Sequence, residues 1–188
     1  MAKKVNRVYG SGATLVELLT VLVMVVVSIA LAAPNMSELF QSNTLRTETS
    51  RLVSAINLAR SKAVLSNAPI SMCPSRMMYT GQKRCSDNYA DGWIVFRNFD
   101  RDREVDNGND EILQIYGALP KGFTVTNRAG TRYASELITY LPDGTSRRNL
   151  TLLVCPPRSP QHRGLGVIMN IVGRPRVAAN WGTCPQTG

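Results

Sequence analysis

The chain of 188 residues has one histidine, His162, and no Cys-x-x-Cys pair. It also lacks a Gly-x-Ser-x-Gly elbow, a His-Glu-x-x-His pair and a Gly-rich phosphate loop. Those motifs place a nucleophile, two imidazoles or a ring of amides at the spacing their chemistry needs. Their absence removes the usual carriers of hydrolytic, zinc-dependent and nucleotide-driven catalysis. A lone histidine between Gln161 and Arg163 in a Pro/Gly-rich stretch reads as a solvated side chain. The expectation is a protein that is not an enzyme, with no cofactor. Acidic residues are also scarce, 13 against 22 Lys and Arg, for a net charge of +9. The imbalance lies late. From Leu113 onward Lys121, Arg128, Arg132, Arg147, Arg148, Arg158, Arg163, Arg174 and Arg176 face only Glu136 and Asp143. Such a surface suits a polyanion, a membrane face or plain solvation.

One hydrophobic run is long. From Ala13 to Ala33 the sole charge is Glu17, and Lys3, Lys4 and Arg7 precede the run. A helix of about 20 residues spans roughly 30 Å of hydrocarbon. A carboxylate inside it costs roughly 2.5–3.5 kcal/mol, so Glu17 calls for a partner. A cleaved signal peptide fits less well. The run exceeds a usual h-region, and Pro34 follows Ala32-Ala33 where the cleavage pattern would fall. The basic leader keeps the N-terminus cytoplasmic.

The stretch Gly12-Ala13-Thr14-Leu15-Val16-Glu17 resembles the prepilin motif of type IV pilins and type II secretion pseudopilins. The resemblance implies cleavage after Gly12 by a prepilin peptidase and N-methylation of Ala13, where the family usually has Phe. It makes Glu17 the fifth mature residue, paired with the terminal amine of a neighbouring pilin during assembly. Pro34 falls where pilin helices kink. The expected division is a leader at 1–12, a transmembrane and assembly half of the N-terminal helix at 13–34, and a globular domain at 35–188. The expected location is the bacterial inner membrane, single-pass, with the domain in the periplasm and on the pilus or cell surface after assembly.

That side of the membrane is oxidising, so Cys73, Cys85, Cys155 and Cys184 are read as disulfides. Four cysteines allow three pairings, and spacing does not choose among them. The local solution, Cys73–Cys85 and Cys155–Cys184, is the expectation; it would tie the C-terminal tail to a strand. After Pro34 the helix pattern resumes. Leu45, Leu52, Ile56, Ala59 and Ala63 form one apolar stripe, and Asn67-Ala68-Pro69 stops the helix after Ser66. Short strands follow, predicted at Ile70–Cys73, Trp93–Phe96, Ile112–Tyr116, Phe123–Thr126, Leu137–Leu141, Leu150–Cys155 and Val167–Val172. The segment from Ser75 to Ala90 reads as irregular. The class is α+β, a long N-terminal helix packed on antiparallel sheet.

The helix segment Leu58-Ala59-Arg60-Ser61-Lys62-Ala63-Val64 and the strand Gly92-Trp93-Ile94-Val95-Phe96 resemble the GspH/FimT branch of the pilin superfamily. Its members are minor pilins and minor pseudopilins with a helix packed on antiparallel sheets. Two site candidates remain. The acidic stretch from Asp100 to Glu111 breaks the EF-hand order at Val105, and Arg97, Arg101 and Arg103 offset its charge. It is expected to be a solvated turn rather than a metal site. The sharper candidate is Gly173-Arg174-Pro175-Arg176. Arginines two apart in an extended segment point to one side, Pro175 keeps the segment extended, and guanidinium forks match phosphate. On bare sequence an edge strand whose arginines only deter aggregation is the stronger reading of the pair. A C-terminal Gly-Arg-x-Arg resembles the motif of FimT minor pilins, which are implicated in DNA capture during natural transformation. That resemblance implies DNA contact at Gly173, Arg174 and Arg176. Charge alone adds Arg158 and Arg163, with Arg147 and Arg148, as helpers. Trp93 reads as core, and Trp181 as stacking or core cover. The expected function is non-specific binding of double-stranded DNA through its phosphates for uptake. The alternative is a structural minor pilin or a GspH-like type II secretion pseudopilin that primes assembly without binding DNA.

Overall fold

The computed structural model describes residues 12, 14–106, 108, 110–146, 148–157 and 163–185, without the side chains of 31–35 and 37. The leader residues Lys3, Lys4 and Arg7, and Ala13, lie outside the described residues. The chain divides into two compact units, Met1–Gln41 and Ser42–Gly188.

In the first unit the helix α1 (Leu15–Ser66) begins. Thr14 caps it: the Glu17 amide donates to the Thr14 hydroxyl at 3.3 Å, and the Leu18 amide to the Thr14 carbonyl at 3.1 Å. Thr14 and Glu17 thus stand at the N-cap and N3 positions of a capping-box pattern. The large apolar side chains from Leu15 to Ile29 are all more than half exposed. Among the described residues no helix is long and apolar enough to cross a membrane. Described side chains of the apolar run end at Ala30, short of the ~20 residues a span needs. The helix continues through Pro34.

The second unit holds the core. Leu52, Ala55, Ile56, Ala59 and Ala63 are fully buried, and Leu45 packs partly buried beside them. The helix ends as expected at Ser66, where Asn67 turns left-handed (φ 48°) and the Ala68 amide returns to the Ala63 carbonyl. Strand β1 (Ile70–Pro74) follows, then a short helix α2 (Met77–Thr80), a 3-10 turn at Tyr89–Asp91, and strands β2 (Trp93–Arg97) and β3 (Ile112–Tyr116). After them come β4 (Thr124–Thr126), β5 (Ile138–Tyr140), β6 (Leu150–Cys155), β7 (Leu165–Met169) and β8 (Pro175–Ala179). They form two four-stranded sheets, ordered β3-β2-β1-β5 and β4-β6-β7-β8, with every pairing antiparallel. The α+β architecture is the one expected.

One core cluster joins the helix face to the inner faces of both sheets, through Ile70, Met72, Trp93 and Tyr140 on one side and Val125, Leu152, Val154, Val167 and Met169 on the other. Each of the larger apolar side chains stabilises by about 1.5–3 kcal/mol when fully buried. The sheets' outer faces carry smaller clusters. One groups Cys73, Ile94, Phe96 and Val105; the other groups Leu153, Cys155 and Cys184. Each holds a disulfide, Cys73–Cys85 and Cys155–Cys184, the pairing expected among the three.

Three details differ from the sequence reading. The segment expected to be irregular contains α2, and Tyr89 is fully buried, with its hydroxyl donating to the Glu136 and Met72 carbonyls. The strand expected at Val167–Val172 is β7, Leu165–Met169. Its apolar neighbours Ile171 and Val172 sit half exposed in a turn that closes with the Gly173 amide on the Asn170 carbonyl. The stretch after Gly173 is a strand, β8, where the sequence suggested an extended arm. Proline is tolerated because it opens a strand at the sheet's edge.

Ala55, Ala59 and Ala63 on α1 are fully buried in the core cluster that both sheets share. Ala59→Leu is expected to lower stability by about 1–3 kcal/mol, read as a reduced urea midpoint at unchanged slope.

Candidate nucleic-acid interface

The groove of interest lies on the outer face of the second sheet. It encloses about 380 Å³ and its lining includes Arg128, Thr151, Ile168, Arg174, Arg176 and Trp181. The hairpin β7–β8 sets Arg176 opposite Ile168, and Ile168 lies opposite Thr151 on β6. Arg174 precedes β8 by one residue and shares the side of Arg176, as period-two spacing requires. Both arginines are exposed. Among the described residues neither lies within ion-pair distance of a carboxylate.

Gly173 is buried and has a different part from the arginines it precedes. Its φ is +80°, and a Cβ there would meet the Gly144 carbonyl at 2.4 Å and the Tyr140 ring at 2.7 Å. The Tyr140 hydroxyl donates to the Gly173 carbonyl at 2.9 Å. Gly173 therefore lets the turn close onto the core, and the closed turn delivers Arg174. Ser146 holds the same turn: its amide donates to the Ile171 carbonyl and its hydroxyl to that of Asn170.

Of the other charged candidates, Arg163 is exposed just before β7, at the end away from Arg174, and does not line the groove. Arg148 is exposed one residue before Asn149, which does line it. Arg147, Arg158 and His162 lie outside the described residues. Arg128, in the turn after β4, joins the groove although nothing beyond its charge marked it. Its guanidinium carbon stands 4.5 Å from the Trp181 ring centroid, and that of Arg176 stands 5.2 Å from it. Contacts of this kind contribute about 0.5–1 kcal/mol at exposed sites. Trp181, half-buried, lies over Gly166, where a Cβ would come within 3.2 Å of the tryptophan Cβ.

The acidic stretch behaves as a turn that binds its own backbone. The Asp100 carboxylate accepts from the Asp102 amide and the Asp102 carboxylate from the Glu104 amide. Asp100, Asp102 and Asp106 come within 4.8 Å of one another, all exposed. Trp93 is core, fully buried, stacked on Tyr116 and covered by the Arg51 guanidinium.

A helix whose buried stripe serves two antiparallel sheets, with a stapled tail, defines the pilin-like class of minor pilins and pseudopilins. The profile of the family described as Type II transport protein GspH matches residues 48–173, and the chain belongs to that family. Similar solved structures include the type IV minor pilin FimU of Pseudomonas aeruginosa in two crystal forms. One is 17% identical with a TM-score of 0.53, covering 75% of this chain and 96% of that one. The other is 16% identical with a TM-score of 0.50, covering 73% and 98%. The minor pseudopilin EpsH of the Vibrio cholerae Type 2 Secretion System is 14% identical with a TM-score of 0.47, covering 72% and 96%. At such identities the FimU likeness is one of fold. No curated protein sequence matches the chain.

Burial pushes the Tyr140 phenol up to about 12, with the Arg60 guanidinium opposing. A tyrosine in the unfolded chain ionises near ~10. The stabilisation from keeping this phenol neutral is therefore full below about pH 10 and is lost as pH rises toward 12. The urea midpoint is expected to fall across that window. In Tyr140→Phe, which has no proton to lose, the fall is expected to be shallower from a lower starting value.

Proposed function

We propose that the chain is a minor type IV pilin that holds double-stranded DNA by its phosphates, without sequence preference, for uptake in natural transformation. The observation that carries this reading is the pair Arg174 and Arg176, exposed, on one side of an edge strand and in one groove. Guanidinium groups without a carboxylate partner are free to take phosphate in a bidentate way. In this reading the arginines take backbone phosphates, contacts that position a duplex and carry no sequence information. Binding of this kind weakens steeply with salt.

The N-terminal segment supplies the rest of the reading. The exposed apolar side chains from Leu15 to Ile29 need lipid or neighbouring pilin helices to cover them. The leader 1–12 is removed after Gly12 by a prepilin peptidase, and Ala13 is methylated. Residues 13–34 hold the protein in the inner membrane, and Glu17 pairs with a neighbour's terminal amine. The domain faces the periplasm and, after assembly, the cell surface. The second reading is a pseudopilin or structural minor pilin that primes a filament and binds no nucleic acid. It is favoured by the extent of the family match, which stops at Gly173, one residue before Arg174.

The test is a gel shift of a DNA duplex with the full chain in non-ionic detergent. Arg174→Ala with Arg176→Ala is expected to abolish the shift while leaving thermal unfolding and pilus assembly unchanged. Each arginine lost singly is expected to flatten the slope of log K against log salt by about one. A double variant that binds like wild type removes the arginines from the site. A variant that loses pili instead supports the scaffold role.

A further inference from the structure

We propose that Arg128 is a third phosphate contact of the same groove, and that Trp181 is the positioning residue that holds Arg128 and Arg176 on one anion. This rests on the phosphate-binding reading and adds two residues to it. Arg128 follows β4, at one edge of the second sheet, and Arg176 lies on β8, at the other. Thr126 stands opposite Leu153, so Arg128, two residues further on, falls level with Thr151, and Thr151 is aligned through Ile168 with Arg176. The two arginines therefore end one row across the outer face, and both reach the same ring.

Their distances to the Trp181 centroid keep the guanidinium carbons within about 10 Å of each other, close enough to meet neighbouring phosphates of one strand. Like charges brought this close repel. Among the described residues no carboxylate pairs with Arg128, Arg174 or Arg176. What offsets the repulsion is the negative face of the indole. Three arginines in one concave groove then focus a positive potential on whatever enters it, and Arg128 and Arg176 are planar forks already held in place, which suits phosphate oxygens.

The tail that carries Trp181 is itself fixed to the segment that carries Arg128. The Thr183 amide donates to the Arg128 carbonyl at 3.1 Å. A Cβ at Gly182 would stand 2.6 Å from that same carbonyl oxygen. Two residues after Gly182 the chain is bonded to β6 through Cys155–Cys184. Backbone, side chain and disulfide thus hold the ring and the guanidinium in register before any anion arrives. A residue needed only to cover Gly166 would not require a ring face, since any apolar side chain of similar size would do.

The test uses the full chain in non-ionic detergent and a DNA duplex of about 30 base pairs, titrated at several salt concentrations. Arg128→Ala is expected to lower the log–log salt slope by about one and to weaken binding several-fold near 0.1 M salt. Trp181→Phe, which keeps a ring face, is expected to bind within about twofold of wild type. Trp181→Leu, which keeps only apolar cover, is expected to bind at least about threefold more weakly at a similar unfolding midpoint. Arg128→Ala with the wild-type slope overturns the third contact, and Phe and Leu variants that bind alike overturn the positioning role. Should both Trp181 variants fail to fold, Arg128→Lys decides the stack: wild-type slope with weaker binding supports it, and wild-type affinity overturns it. Silence of the Arg128 and Trp181 variants alone, beside a disabled Arg174/Arg176 double variant, sinks only this inference. A double variant that binds normally sinks the DNA reading beneath it.

Discussion

The domain depends on one helical stripe being shared by two sheets. Leu52, Ile56 and three fully buried alanines, Ala55, Ala59 and Ala63, supply the α1 face of the main core cluster, which strands of both sheets share. Small residues let the helix backbone come close, and the larger ones fill the space between layers. Both inner faces are thereby occupied. What remains for function is the outer faces and edges. Each outer face carries a cluster containing a disulfide.

The second outer face becomes a site because three glycines let the chain fold back over it. Gly164 admits the Cys155–Cys184 bridge, whose sulfurs would lie 3.3 and 2.8 Å from a Cβ there. Gly166 admits Trp181. Gly173 admits the turn that begins β8, locked by the Tyr140 hydroxyl. The arginines are consequences of those close approaches. They lie where an edge strand and a returning tail meet, with no acidic side chain of the groove beside them.

Much of this was legible in the sequence because it rests on local signals. The apolar stripe ended at Ser66 where Asn67-Ala68-Pro69 demanded it, the disulfides paired locally, and Ile112–Tyr116 and Leu150–Cys155 were bounded correctly by their turns. The period-two spacing of Arg174 and Arg176 survived as a shared groove. What the sequence left unread came from contacts distant in sequence. Ile171 and Val172 look like strand, but the positive φ of Gly173 makes them a turn. Pro175 bars a central strand, and the edge position it takes asks nothing of its missing amide. Arg163 is close to Arg174 in sequence yet at the other end of β7, whereas Arg128, much further away, arrives through strand register. Tyr89 is buried by Met72 and Glu136 carbonyls that no local pattern announces. The family match stops at Gly173, one residue short of the first arginine of the pair.

The Cys155–Cys184 bridge closes a ring of chain with a sequence separation of 29 that contains the whole β7–β8 hairpin. A single peptide bond broken anywhere between the two cysteines leaves both fragments covalently joined, with the hairpin still anchored at its severed ends by sheet pairing and sulfur. The arginine-bearing element is the part of the surface that such damage cannot shed.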